Sequence, residues 1–294
     1  MAQKTKVAFL GPVASYSHQA TKVAFPDENT HELIPVKTIR EVFDTVQARG
    51  TEYGVVPFEN STHGPVSMTL EALADRGDEL RDVVVCGEVY LGVHHFLLGK
   101  KGGRLEDVRR VYSHPQAFGQ TGRWMRRFLP GVEMVEVSST SKAAEIVATG
   151  GDEGWAAVAG EMAGREYGLG VLGERIEDRG DNETRFFVVG RKQEKGEGRG
   201  KGKNLVSFCV GSHDEPGALA EVLGCFRERG LNLTSINSVP GLREGMRPFE
   251  YLFFVEFEGT GQVDEGVRVK GVLEDLESKT KGWRYLGGWE SARR

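Results

Sequence analysis

Short apolar runs alternate with amphipathic stretches through roughly the first two thirds of the chain. Residues 6–10 predict a strand closed by a Gly11-Pro12 turn, after which Ser15 or Ser17 caps a helix. Residues 33–36 form a second strand. Thr38, with Glu41 three residues on, then starts a helix whose Val42, Phe43 and Val46 share a face. A third strand, 53–57, delivers the polar cluster Glu59, Asn60, Ser61, Thr62. Strands alternating with helices predict a parallel α/β sheet.

From Val83 the pattern restarts. Strands are expected at 83–86, 88–98, 108–112, 134–137 and 155–159, and helices at 117–128, 142–148 and 161–167. Repeatedly an apolar strand ends in a Ser/Thr/Asn-rich loop that opens a helix. Taken singly, each loop is ordinary capping. Together, at the carboxyl ends of strands, they offer helix N-termini to a small anionic ligand. Residues 181–190 (DNETRFFVVG) place a hydroxyl, Thr184, and a guanidinium, Arg185, at the mouth of an apolar strand. Such a junction can hold reactive groups on a rigid support.

Residues 191–203 carry six basic and two acidic residues, four glycines and nothing apolar. That composition cannot bury a core, so it predicts a flexible linker and a domain boundary. The remainder reads as strand 205–210, a turn at 214–217, helix 218–229 closed by Gly230, strands 233–239 and 251–257, a second amphipathic helix through Val269, Val272, Leu273 and Leu276, and strand 283–289. This βαββαβ order predicts a ferredoxin-like antiparallel sheet with helices on one face, whose exposed edge invites pairing with a second copy.

The bulk numbers narrow the class. With 294 residues, 39% apolar and 28% charged, the chain reads as a globular protein of about two domains. A net charge of −5 argues against nucleic acid as a partner. Cys86, Cys209 and Cys225 are too few and scattered for a disulfide framework or metal knuckle. The expected location is cytoplasmic, with no membrane partner, since no leader-like or membrane-length apolar run is seen.

Seven stretches carry a family resemblance: 11–17 (GPVASYS), 56–64 (VPFENSTHG), 111–117 (VYSHPQA), 139–144 (STSKAA), 182–187 (NETRFF), 216–219 (PGAL) and 231–236 (LNLTSI). In this order and spacing, the chain resembles prephenate dehydratase with a C-terminal ACT domain. The resemblance implies an α/β catalytic domain, 1–190, built of two lobes like a periplasmic binding protein. Lobe one would be 5–81 plus 176–190 and lobe two 82–175, followed by the 191–203 linker and an ACT regulatory domain at 204–294. It implies decarboxylating dehydration of prephenate to phenylpyruvate, on the route to phenylalanine, with no metal or cofactor. Arogenate dehydratase and a non-catalytic cytosolic small-anion or amino-acid-binding regulator stand as alternatives.

The enzyme must hold two carboxylates and help a ring hydroxyl leave. The resemblance and the residue chemistry together assign catalytic roles to Thr184, at the leaving hydroxyl, and Arg185, as a bidentate carboxylate ligand. Asn60 supplies a neutral donor. Glu59 has two readings: a proton donor if its pKa is raised in the cleft, or a group that only orients its neighbours. Substrate binding is expected from Ser15, Ser61, His114, Gln116, Ser139, Thr140, Ser141 and Phe186, with His114 equally readable as structural before its proline. The ACT resemblance implies L-phenylalanine as an allosteric effector bound by Gly217, Ala218, Leu219, Asn232, Asn237 and Ser238 in a homodimer or homotetramer. One departure is that residues 237–240 read NSVP where the family commonly has an acid and an arginine. The other is Ala14, which stands where glycine is usual and predicts a slightly different turn.

Overall fold

The computed structural model describes residues 3–192, 202–210, 216–241, 247, 249–258 and 265–293. Most of the expected linker, and Asp214 and Glu215 of the expected turn, therefore lie outside the described residues.

The chain begins with β1 (Thr5–Leu10), α1 (Tyr16–Ala24), β2 (His31–Val36), α2 (Ile39–Gln47), β3 (Tyr53–Asn60), the short β4 (Gly64–Pro65), α3 (Ser67–Ala74) and β5 (Val83–Gly92). β1 pairs in parallel with β2 and β3. The local signals explain the helix starts. Ser15 Oγ accepts from the His18 amide at 3.2 Å, and Thr38 Oγ1 from the Glu41 amide at 3.1 Å. Ile39, Val42, Phe43 and Val46 of α2 are buried against Phe58, Phe187 and Val189.

The second lobe contains β6 (Phe96–Gly99), β7 (Arg110–Ser113), α4 (Pro115–Gln120), α5 (Gly122–Phe128), β8 (Glu133–Glu136), α6 (Thr140–Thr149), β9 (Trp155–Ala159), α7 (Glu161–Glu166) and β10 (Gly170–Gly173). Its five strands run in the order β10-β6-β9-β7-β8. The chain then returns to the first sheet as β11 (Glu183–Arg191), which lies antiparallel between β3 and β5. Two crossings, at residues 93–95 and 174–182, thus join two α/β lobes.

The strand pairing corrects the expected lobe boundary. Residues 83–92 form one strand of the first sheet and pair with β11 along their whole length, so the crossing falls near Gly92 and not at residue 82. A restart in hydrophobic pattern marks a new strand without specifying which sheet receives it.

The C-terminal unit follows as β12 (Lys203–Val210), α8 (Ala218–Glu228), β13 (Asn232–Pro240), β14 (Tyr251–Glu258), α9 (Glu265–Lys279) and β15 (Thr280–Trp289). The order β13-β14-β12-β15, all antiparallel, is the ferredoxin-like arrangement read from the pattern. Phe208, Phe226, Phe257, Val269, Val272 and Leu276 fill the layer between sheet and helices.

This sheet continues into that of lobe one. β15 meets β5 in parallel at the pair Gly287 and Val85, forming a single sheet that spans both units. Gly287 has φ +130°, and a Cβ there would lie 2.0 Å from the Val85 carbonyl oxygen, so only glycine allows the approach. The linker is also shorter than its composition suggested. Arg191 ends β11, the Lys192 amide donates to the Asp82 carbonyl at 2.7 Å, and Lys203 is a buried residue of β12. At Ala14 the backbone is left-handed, with φ +62°, so this residue keeps the conformation that glycine would favour.

Candidate functional site

A cleft of about 630 Å³ opens between the two lobes. Lobe one contributes the end of β3, the start of β11 and the N-terminus of α1. Lobe two contributes α4 and the N-terminus of α6.

The register of β3 against β11 sets its floor. Thr184 faces Asn60 across the ladder, and Arg185 faces Glu59. Asn60 Nδ2 donates to Thr184 Oγ1 at 2.9 Å and to Asn182 Oδ1 at 2.8 Å. Its Oδ1 accepts from the Thr62 and His63 amides, each at 3.0 Å. With both ends of its amide engaged, Asn60 is fixed and in turn fixes the Thr184 hydroxyl. Thr184, Asn60 and Phe186 all line the cleft.

Arg185 does not. Side chains alternate along a strand, so the residue between Thr184 and Phe186 projects from the opposite face. There Arg185 is 6% exposed, with Nε 2.8 Å from Glu88 Oε2 and Nη2 2.5 Å from Glu256 Oε2. Its guanidinium lies over the Phe187 ring, 4.9 Å from the centroid. Lys203 Nζ completes the cluster at 3.3 Å from Glu256 Oε1, which also accepts from Thr234 Oγ1 at 2.7 Å. The expected carboxylate ligand is thus the centre of a buried ion cluster that joins the lobe-one sheet to the C-terminal unit. Glu59, directly opposite Arg185, shares its face and does not line the cleft. Neither expected role for it, as donor or orienter in the cleft, fits that position.

Among the other expected ligands, Ser15, His114, Gln116, Ser139 and Thr140 line the cleft. Ser15 and Ser139 cap α1 and α6, whose free N–H groups and positive dipole ends face the same space. His114 Nδ1 accepts from the Gln116 amide at 3.3 Å, so its ring also caps α4. Ser61 and Ser141 are outside the lining. Ser61 Oγ accepts from the Glu183 amide at 3.0 Å, and Ser141 Oγ donates to the Val13 carbonyl at 2.6 Å, tying α6 to the loop before α1. A polar loop residue close in sequence to a ligand can serve the loop itself. Gly217, Ala218 and Leu219 begin α8, with Gly217 left-handed at φ +94°. Asn232, Asn237 and Ser238 lie on β13. These six belong to the C-terminal unit, away from the cleft.

Tyr16, His63, His95 and Gln120 also line the cleft without having been expected as ligands, although Tyr16 and His63 lie inside the 11–17 and 56–64 stretches. His95 Nε2 lies 2.6 Å from Gln120 Oε1, and His95 Nδ1 lies 3.1 Å from the Tyr16 hydroxyl. Burial, reinforced by the Glu177 carboxylate, raises the Tyr16 pKa far above the usual phenol value. Burial also holds the His95 ring below its usual pKa, although the Gln120 contact and Glu177 act the other way. Gln120 stands one helical turn after the expected Gln116, and that spacing was the one available clue.

Among the described residues, the lining includes no lysine, arginine, aspartate or glutamate. An anion here meets hydroxyls, amides, imidazoles and helix N-termini, with no carboxylate to repel it.

A family model described as "Prephenate dehydratase" matches residues 7–194. The bifunctional chorismate mutase/prephenate dehydratase of Aquifex aeolicus is 38% identical over 290 residues, covering 99% of this chain and 75% of that protein. The prephenate dehydratase of Arthrobacter aurescens, solved in complex with L-Phe, superposes with a TM-score of 0.85 at 30% identity, covering 98% of this chain and 90% of that one. GqqA, described as a novel type of quorum quenching acylase, superposes with a TM-score of 0.80 at 27% identity, covering 98% of each chain.

Proposed function

The chain belongs to the prephenate dehydratase family, its reaction is the conversion of prephenate to phenylpyruvate in phenylalanine biosynthesis, and from that premise we propose how the cleft performs it. Prephenate dianion loses carbon dioxide from its ring carbon and hydroxide from the opposite ring position. One proton joins the hydroxide to give water, and the ring becomes aromatic. The protein must orient two carboxylates and stabilise the departing hydroxyl.

Thr184 is the residue at that hydroxyl. The observation that carries this reading is its contact with Asn60 at 2.9 Å on the cleft floor. Asn60 donates to Thr184 Oγ1, which frees the Thr184 proton to donate to the leaving oxygen. Threonine is too weak an acid to give up that proton outright, so its role is a strong, oriented hydrogen bond. The carboxylates are held by the N-termini of α1 and α6, by Ser15, Ser139 and Thr140, and by the amides of Gln116 and Gln120. Phe186, beneath the floor, supplies an apolar surface for the ring as it aromatises.

The C-terminal βαββαβ unit fits an ACT domain that binds L-phenylalanine and regulates the reaction. Gly217 at the start of α8 and the residues of β13 are the proposed effector ligands. A physical route toward the cleft runs from Thr234 on β13 through Glu256 to Arg185, whose backbone neighbour is Thr184. Edge strand β13 leaves Leu233 and Ile236 exposed, which suits pairing with a second copy in a homodimer or homotetramer.

The test is incubation with prephenate while following phenylpyruvate absorbance, with a parallel arm using arogenate. Turnover of prephenate with little turnover of arogenate is expected. The reverse preference would reassign the substrate, and inertness toward both would reject the reading.

A further inference from the structure

His95 stands at the outward crossing between the lobes and is 2% exposed. Both crossings grip it. Its amide donates to Glu177 Oε2 at 2.9 Å, and its carbonyl accepts from the Ile176 amide at 2.8 Å. Its ring stands edge-on to Tyr16 of lobe one and reaches Gln120 of lobe two. Beyond that contact the polar chain continues. Gln120 Nε2 is 3.3 Å from His63 Nδ1, the His63 amide donates to Asn60 Oδ1 at 3.0 Å, and Asn60 holds Thr184.

The two ends of a glutamine amide are nearly the same shape, and its last torsion is soft. What faces the cleft, donor or acceptor, is therefore decided by the partner at the other end. Resting on the reading of the cleft as a prephenate site, we infer that His95 is a positioning residue whose Nε2–H holds the Gln120 carbonyl and turns the Gln120 –NH₂ toward the anionic substrate. Two proton arrangements serve this. With the single Tyr16 O–H shared between the His94 carbonyl, to which it donates, and His95 Nδ1, the ring is neutral. With the Tyr16 O–H on the His94 carbonyl, 2.7 Å away, Nδ1 donates to Tyr16 and the ring is cationic. In both, Nε2–H faces Gln120. The lowered pKa makes the neutral arrangement the resting one. The ionisable groups facing the ring are Tyr16, His94 and Glu177. A ring protonated at Nδ1 alone would reverse the amide and aim its carbonyl at a dianion.

The experiment is a double-mutant cycle on the full chain with prephenate as substrate. Gln120→Leu and His95→Met each lower kcat/KM about 100-fold, the scale set by a misplaced or missing donor. The double variant falls within about threefold of Gln120→Leu, because His95 acts through the amide that is already gone. His95→Gln, whose amide N–H can replace Nε2–H, recovers to within about tenfold of the unaltered protein. Multiplying losses in the double variant, or a His95→Met protein of near-normal activity, would overturn the assignment. If His95→Met does not fold, His95→Gln is compared with His95→Glu, equal in shape but acceptor-only when ionised. Equal activity of that pair would overturn it too. Failure of the unaltered protein to make phenylpyruvate would refute the substrate reading instead, which keeps the two outcomes separate.

Discussion

Replacing Arg185 with leucine separates a stabilising role from a substrate-binding one. The buried cluster contains two cations, Arg185 and Lys203, and two carboxylates, Glu88 and Glu256, so its formal charge is zero. Glu88 and Glu256 are 7% and 1% exposed, and without Arg185 the cation left beside them among the described residues is the Lys203 ammonium, at 3.3–3.4 Å. Breaking a buried pair by removing one partner costs about 3–5 kcal/mol, because an uncompensated charge stays buried. Part of the loss is packing, since the guanidinium covers Phe187. Urea unfolding of Arg185→Leu should therefore show a loss of that size. Adding Glu256→Leu in the same protein should recover part of it by removing the orphaned carboxylate. KM for prephenate in the folded variant should stay within about threefold, because the side chain does not reach the cleft. A charge-assisted hydrogen bond to a substrate carboxylate would instead contribute about 1.5–3 kcal/mol, a roughly ten- to hundredfold change. Unaltered stability together with a KM raised that far would refute the reasoning.

Thr184→Ala should retain the fold and lose about 2.7–4 kcal/mol of transition-state stabilisation, seen as a kcat lower by two to three orders of magnitude in a phenylpyruvate assay. Gly287→Ala should cost at least about 2 kcal/mol in thermal unfolding, since its Cβ would collide with the Val85 carbonyl and its φ suits only glycine. The depressed pKa of His95 has a signed consequence for stability. The unfolded chain takes up a proton near pH 6.5 while the folded one resists it, so unfolding free energy should fall as pH drops below about 6.5. Urea titrations across that range should show a shallower decline in His95→Gln. Glu88 acts in the same direction at lower pH. Burial raises its carboxyl, but Arg185, the Ala292 amide and Lys203 bring it below the usual value, so its contribution holds above pH 4.5 and is lost as pH falls further. Calorimetry with L-phenylalanine should show binding and reduced turnover; no heat and unchanged turnover would reject the effector reading.

Much of the fold was legible because its signals are local. Thr38 reads as a helix start and caps α2, and Ser15, one of two candidates with Ser17, caps α1. The βαββαβ order of the last ninety or so residues follows from short-range periodicity alone. Arg185 was misread because its partners are remote, Glu88 lying 97 positions away and Glu256 71. Its strand also hid the alternation that would have separated it from Thr184. Phe186, Phe187, Val188 and Val189 are buried on both faces, so no polar residue marks which side meets water. Lys203 was assigned to the linker on charge, and two buried carboxylates make it part of a strand instead. His95 belongs to the crossing at residues 93–95 and Gln120 to α4 of lobe two, a juxtaposition that no local pattern encodes.

On the proposed reading, this cleft dehydrates and decarboxylates prephenate at Thr184. The most direct measurement is phenylpyruvate formation from prephenate by the unaltered chain and by Thr184→Ala at matched folded concentration. Steady turnover by the first, and a loss of two to three orders of magnitude in the second, is the predicted result. Equal rates for the two proteins, or no phenylpyruvate from either, would contradict it.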